Sequence, residues 1–328
     1  MDAYRKLEEE YAKHLGVKRC VSVNTGTAAL HVALEALCLP SGSKVIVPDF
    51  TMYASALAVH YARLSPVFVD CDEDLLIDLD KVEEVIDEDT KVLMVTHIYG
   101  RTVDMDRVME IAEKHNLRVI EDACEAQGAY WGDKAIGSFD IGCFSLYRNK
   151  IIHAEEGGIV ASNDEQFMKT VNDMKSMSFG ETHDYYHHQI GFNYRMTNSQ
   201  AQLALDSLKA HRQNLIARED IKNIYNILID KEYLMKDNRK VCWVYDLKHP
   251  NADEVVKKLK QRNINARHSF KPMTMQPLFK QKINKNSLFY SKNVFYLHID
   301  INKTLLDLQE ECIVLKEVME ECQQGDKK

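Results

Sequence analysis

The sequence predicts an α/β fold: a large unit built on a parallel sheet flanked by helices, followed by a smaller α+β unit. Three observations predict it. Short apolar runs alternate with helical stretches from the N-terminus to Glu121, the signature of parallel βαβ units. Segments rich in Gly, Asn, Thr and Pro follow several of these runs, at the strand ends where such sheets bind ligands. Twelve of the thirteen glycines lie at or before Gly191, so the loop-rich part of the chain is its first two thirds.

The elements follow in order. Tyr4 to Leu15 carries apolar residues at helical spacing and stops at Gly16. Arg19 to Val23 reads as a strand, and Ala28 to Leu37 as a helix after the polar turn Asn24-Thr25-Gly26-Thr27. Lys44 to Val47 is a strand ended by Pro48, Thr51 to Tyr61 a helix, and Val67 to Val69 a strand. Val92 to Thr96, Met105 to His115 and Arg118 to Glu121 repeat the strand, helix, strand pattern. Thr197 opens a long helix that reaches Leu228. Beyond it come strands Val241 to Asp246 and Asn265 to His268, with a helix from Ala252 to Arg262 between them. A last helix runs from Leu305 to Glu320. The expected division is a large unit over 1–225 and a small one over 226–328.

Composition narrows the function. The 328 residues are 45% hydrophobic and 28% charged, as in ordinary globular proteins. A net charge of -8, with no basic stripe, excludes nucleic acid as an expected partner. Eight scattered cysteines form no Cys-x-x-Cys pair, so no metal is expected, and a reducing compartment fits them. The charged, helical start is no secretory signal, and no apolar stretch approaches the ~20 residues that span a bilayer. The expectation is a cytoplasmic protein without a membrane partner.

The chemistry converges on Lys150. It follows the apolar run Cys143-Phe144-Ser145-Leu146 and a polar turn, which presents an amine at a strand end. Asp122, in Glu121-Asp122-Ala123, closes a neighbouring strand. A lysine and a buried acid on adjacent strand ends suit pyridoxal phosphate: the amine holds the aldehyde as a Schiff base, and the acid keeps the ring nitrogen protonated. Asn24-Thr25-Gly26-Thr27 joins a strand to a helix, where unpaired N–H groups and small residues admit a phosphate; the same residues suit a plain helix cap. Ser145 can reach that phosphate or be an ordinary strand hydroxyl. Glu125 can face the ring hydroxyl or complete a capping box. His97, with Asp104 and Asp106, reads as structural, and His187-His188 lack metal-ligand spacing.

Together these motifs resemble the DegT/DnrJ/EryC1/StrS family of pyridoxal-phosphate sugar aminotransferases, which have the aspartate aminotransferase (type I) fold with its mostly parallel mixed sheet. The matching stretches are Asn24 to Leu30, Pro48 to Thr51, His97 to Gly100 with Asp104-Met105-Asp106, Glu121 to Ala126, Phe144-Ser145 through Lys150, Glu156-Gly157-Gly158 and Gly191 to Met196. The resemblance implies that Lys150 is the Schiff-base lysine and Asp122 the pyridinium partner. It places Glu125 at the ring hydroxyl, Gly26, Thr27 and Ser145 around the phosphate, and Met52 where an aromatic residue often stacks on the ring. It implies that Asn193 reaches the cofactor of a neighbouring subunit, hence a homodimer with shared active sites. Tyr53 stands beside Met52 to compensate for it, and Tyr53, Arg195, Arg267 and His268 are candidate substrate contacts. Arg148 replaces a common glycine, and His153-Ala154-Glu155 replaces a more typical Thr-Thr-Gly. The expected reaction moves an amino group from an amino acid, glutamate first, to a keto-sugar, nucleotide-linked or a cyclitol, with pyridoxamine phosphate as the intermediate cofactor form. Two alternatives stand beside it: a sugar dehydratase of the same family, and a non-catalytic regulator that binds cofactor or sugar.

Overall fold

The computed structural model describes residues 2–179 and 185–324. The first part of the chain runs α1 (Ala3–Leu15), β1 (Arg19–Val23), α2 (Gly26–Ala36), β2 (Lys44–Pro48), α3 (Tyr53–Tyr61), β3 (Ser65–Val69), α4 (Leu79–Val82), β4 (Thr90–Thr96), α5 (Met105–His115) and β5 (Arg118–Asp122). A small hairpin, β6 (Tyr130–Trp131) and β7 (Lys134–Ala135), precedes β8 (Ile141–Ser145), β9 (Gly158–Ser162), α6 (Glu165–Lys175) and α7 (Asn198–Leu228). The rest is β10 (Val244–Lys248), α8 (Ala252–Gln261), β11 (Ala266–His268), α9 (Lys285–Asn293), β12 (Val294–His298) and α10 (Leu305–Gln324).

The main sheet has seven strands in the order β1-β9-β8-β5-β4-β2-β3. Only β9 runs antiparallel to its neighbours, so the sheet is mixed but mostly parallel, as expected for the fold class. Its strands are apolar on both faces, which is why Val45-Ile46-Val47 and Val92 to Val95 read as unbroken runs. Alternate residues sort to opposite faces: Ile46, Leu93, Val95 and Val119 join α1, α5 and the start of α7. Val45, Val47, Val92, Met94 and Ile120 join α2, α3 and α6 on the other face.

Strand β9 is absent from the sequence expectation, because a five-residue run after two glycines carries little periodic signal. It matters for the site. Gly158 pairs with both Val23 and Ser145, so the carboxyl ends of β1 and β8 lie one strand apart. The sequence reading also leaves out α6, α9 and β12. It starts β10 three residues early, and helix α7 continues through the expected division at 225/226.

A three-stranded antiparallel sheet, β10-β12-β11, packs with α8, α10 and the second half of α7 into a third apolar cluster. It is pinned to the main sheet beyond β4. Gly100, at φ 86°, accepts from the Lys240 amide at its carbonyl, and a Cβ there would meet the Val241 carbonyl oxygen at 1.9 Å. Beside it the fully buried Asp246 accepts a fork from Arg101, 3.2 and 2.8 Å, and a bond from Arg239 Nε at 3.0 Å. Burial alone would raise the Asp246 pKa; Arg101 and Arg239 outweigh it and hold the acid below its usual range.

Candidate active site

The carboxyl ends of β1, β2, β4, β5 and β8 surround one region, and β5 and β8 bring the acid and the amine to it. Asp122 ends β5, opposite Thr96 of β4 on one side and Cys143 of β8 on the other. Its side chain is buried and held from two directions. Ser55 Oγ donates to Oδ2 at 2.7 Å, and the Cys124 amide donates to Oδ1 at 3.3 Å. Ser55 has one proton, spent on Asp122, so it must accept from Thr51 at 3.1 Å; Thr51 must then accept from Thr96 at 3.0 Å. Three buried hydroxyls from α3, the β2–α3 loop and β4 thus form a one-way chain that ends on the carboxylate.

Lys150 lies in the loop after β8, and five hydrogen bonds fix that loop. Its own amide donates to the Tyr147 carbonyl at 2.8 Å. Gln127, five residues past Asp122, donates to the carbonyls of Ser145 and Ile152 at 3.0 Å each and accepts from the Ile152 amide at 2.8 Å. The Trp243 indole N–H donates to the Asn149 carbonyl at 2.9 Å. The same indole takes Lys150 Nζ over its ring, 3.8 Å from the centroid, a cation–π contact. Nζ also lies 3.9 Å from Glu125 Oε1. Burial raises the Glu125 pKa to about 7, against the pull of Lys150 and of the Tyr99 amide, which donates to Oε2 at 3.1 Å. Tyr99 reaches that bond with φ at 53°, a left-handed conformation costly for a tyrosine, and its ring packs against Phe270, Tyr296 and Trp243.

The turn after β1 fits a phosphate. Helix α2 begins at Gly26, two residues before the expected start, so Gly26 and Thr27 occupy its first turn. Thr25 is the cap and accepts from the Ala28 amide at 3.0 Å, which leaves the Gly26 and Thr27 amides with no carbonyl inside the helix. A Cβ at position 26 would stand 2.7 Å from the Ser145 Cβ. Glycine at 26 therefore lets Ser145 pack directly against the first turn of α2, which sets the Ser145 hydroxyl beside two amides that have no partner inside the helix, a setting that suits an anion. An amine, a fixed carboxylate and this cradle, all along one edge of the sheet, are the donor set that pyridoxal phosphate requires.

The other expected residues fall in three places. Arg267 lines a cleft of about 690 Å³ together with Lys150, Trp243, Tyr296, Arg218 and His298. His268 follows it on β11 but points away, paired with Asp253 at 2.8 Å, and does not line the cleft. Met52 is half exposed at the cap of α3, and Tyr53 lies 5.9 Å from Phe279; neither lines the cleft. Asn193 is exposed and bridges to Ser176, while Arg195 Nη1 reaches Ser176 Oγ at 3.4 Å beside α1 and α6. His97 is structural: it is fully buried, accepts from the Val103 amide at Nδ1 and hence donates from Nε2 to Glu121, both near 3.3 Å. Trp243, Gln127, Tyr99, Arg218 and His298 were not foreseen. Of these only Tyr99 belongs to a stretch that the motifs mark, and Gln127 directly follows another.

A seven-stranded sheet with one reversed strand, carrying an amine and an acid at its carboxyl edge, defines an aminotransferase fold. The chain matches the DegT/DnrJ/EryC1/StrS aminotransferase family over residues 2–311 and belongs to it. It is 37% identical to GDP-perosamine synthase of Caulobacter vibrioides over 286 residues, 83% of this chain and 77% of that protein. It is 38% identical to UDP-N-acetyl-3-dehydro-alpha-D-glucosamine 3-aminotransferase of Acidithiobacillus ferrooxidans over 219 residues, 66% of this chain and 58% of that protein. The crystal structure of S. venezuelae DesV in complex with a ketimine intermediate superposes with a TM-score of 0.91 at 25% identity, covering 98% of this chain and 90% of that one. The expected family, fold, enzyme class and cofactor are borne out: this is an aminotransferase of a pyridoxal-phosphate-dependent family.

Proposed function

We propose that the protein transfers an amino group from glutamate to a nucleotide-linked keto-sugar, with Lys150 and Asp122 as its catalytic residues. The observation that carries this reading is the pairing of a buried, aromatic-backed amine with a carboxylate locked by a hydroxyl chain at neighbouring strand ends. Pyridoxal phosphate, when bound, supplies an aldehyde for amines and a ring that accepts the electron pair left by a departing proton. Asp122 would hold the ring nitrogen, and Gly26, Thr27 and Ser145 would hold the phosphate. Glu125 would take the ring hydroxyl, and half-exposed Met52, at the cap of α3, would cover the ring from outside the Lys150 cleft. Lys150 would hold the aldehyde at Nζ, and that nitrogen, when free, would carry a proton to and from the reacting carbon. Trp243 and Tyr296 wall the cleft, with Tyr99 packed behind them, and shield Nζ from water.

Names of relatives support the sugar acceptor, and because they span GDP and UDP sugars they leave the nucleotide open. Exposed Asn193 and Arg195, away from the Lys150 cleft, fit a homodimer in which each subunit completes the other's phosphate site. The dehydratase alternative has no support at position 150, which is lysine; His153 lines the same cleft, but it does not take the place of that amine. The division into units over 1–225 and 226–328 and a cytoplasmic location belong to the same reading. The test is to supply cofactor and glutamate with a panel of GDP-, UDP- and dTDP-linked keto-sugars. One 2-oxoglutarate should form per amino-sugar. Sugar deoxygenation without net amine transfer, or no 2-oxoglutarate with any acceptor, refutes the proposal.

A further inference from the structure

Buried guanidinium groups elsewhere in this protein have acids: Arg101 and Arg239 both pair with Asp246. Arg218 does not. It is 8% exposed, on α7, and donates Nη1 to the Trp243 carbonyl at 2.9 Å. Its Nε is buried with no hydrogen-bond partner, and among the described residues no carboxylate forms an ion pair with it. Exposed Asp300 attracts it without forming an ion pair, so the buried cation is incompletely compensated, a cost that a bound anion relieves.

The surroundings fit such an anion. Arg218 lines the Lys150 cleft with Arg267 and His298, and the cleft's sole acid is exposed Asp300. Burial lowers the His298 pKa, and Arg267, Lys150 and Arg218 lower it further, so three cations converge on this histidine. His298 is thereby a neutral hydrogen-bond partner between them. Arginine's planar fork suits the two oxygens of a carboxylate or phosphate.

We propose that Arg218, with Arg267 and His298, forms an anion subsite beside Lys150 that takes a carboxylate or phosphate group of the substrates. This rests on the cleft being the aminotransferase site described above. The amino donor brings carboxylates and a nucleotide-linked acceptor brings a diphosphate; both have the required chemistry, and in a two-stage transfer they occupy the cleft in turn.

The test uses holoenzyme and calorimetric titration with two probes, glutarate and inorganic pyrophosphate, on wild type, Arg218→Gln and Arg267→Gln. Each substitution should weaken at least one probe by about tenfold or more, while the borohydride-sensitive absorbance of the tethered cofactor is unchanged. Weakening of glutarate alone assigns the subsite to the donor, of pyrophosphate alone to the acceptor, and of both to a shared role. Unchanged affinities in both variants overturn the proposal, as does failure of wild-type holoenzyme to bind either probe. Absence of the cofactor band in wild type would instead overturn the functional reading beneath it. Should Arg218→Gln not fold, Arg218→Lys keeps the charge but not the fork, and exposed Arg267→Gln carries the same readout.

Discussion

Replacing Ser55 with alanine tests the hydroxyl chain at its last link. Ser55 Oγ is 2.7 Å from Asp122 Oδ2 and lies in a buried site. A hydrogen bond to a charged group contributes about 1.5–3 kcal/mol. The substitution also strips Thr51 Oγ1 of its acceptor at 3.1 Å, which adds roughly 1 kcal/mol for a buried, unsatisfied donor. The expected loss is therefore about 2–4 kcal/mol in urea unfolding of the cofactor-free protein. A double-mutant cycle with Asp122→Ala isolates the link: once the carboxylate is gone, Ser55→Ala should cost about 1.5–3 kcal/mol less. A Ser55→Ala loss under about 0.5 kcal/mol, or strict additivity with Asp122→Ala, refutes the chain as drawn.

Two further outcomes follow from the site. Asp122→Asn should retain the cofactor, since its cradle is untouched, but lose most turnover, because an amide holds the ring proton poorly; near-wild-type turnover would remove Asp122 from its role. Glu125 carries a raised pKa of about 7 when folded. The folded protein therefore keeps a proton that the unfolded chain has released between the ordinary carboxylate pKa and 7, so stability falls as pH rises through that window and then levels off. Between pH 5 and pH 7, cofactor-free wild type should lose about 2–3 kcal/mol relative to Glu125→Gln; parallel pH curves for the two proteins would contradict this.

Local signals carried much of this architecture, and distance hid the rest. Asp122 and Ser145 end strands, Gly26 opens a helix, and Glu125 and Lys150 lie in the loops just after β5 and β8, so strand runs and turn residues point to them, and the sheet order brings them together. The start of α2 was misjudged because Thr25, not a residue further on, takes the cap. Trp243 and Arg218 act on Lys150 or its cleft from elements far along the chain, with no spacing that links them to it. Arg267 and His268 looked equivalent as neighbours, yet strand alternation sends one into the cleft and the other to Asp253. The chain of hydroxyls from Thr96 through Thr51 to Ser55 is likewise unreadable in one dimension, since three ordinary Ser and Thr residues from separate elements compose it.

The most direct measurement is peptide mass spectrometry of the pyridoxal-phosphate-loaded protein after reduction with borohydride. The reduced cofactor should be found on the peptide that contains residue 150, and on no other. Its presence on a different lysine, or nowhere in protein that demonstrably holds the cofactor, would contradict the assignment on which the proposed chemistry rests.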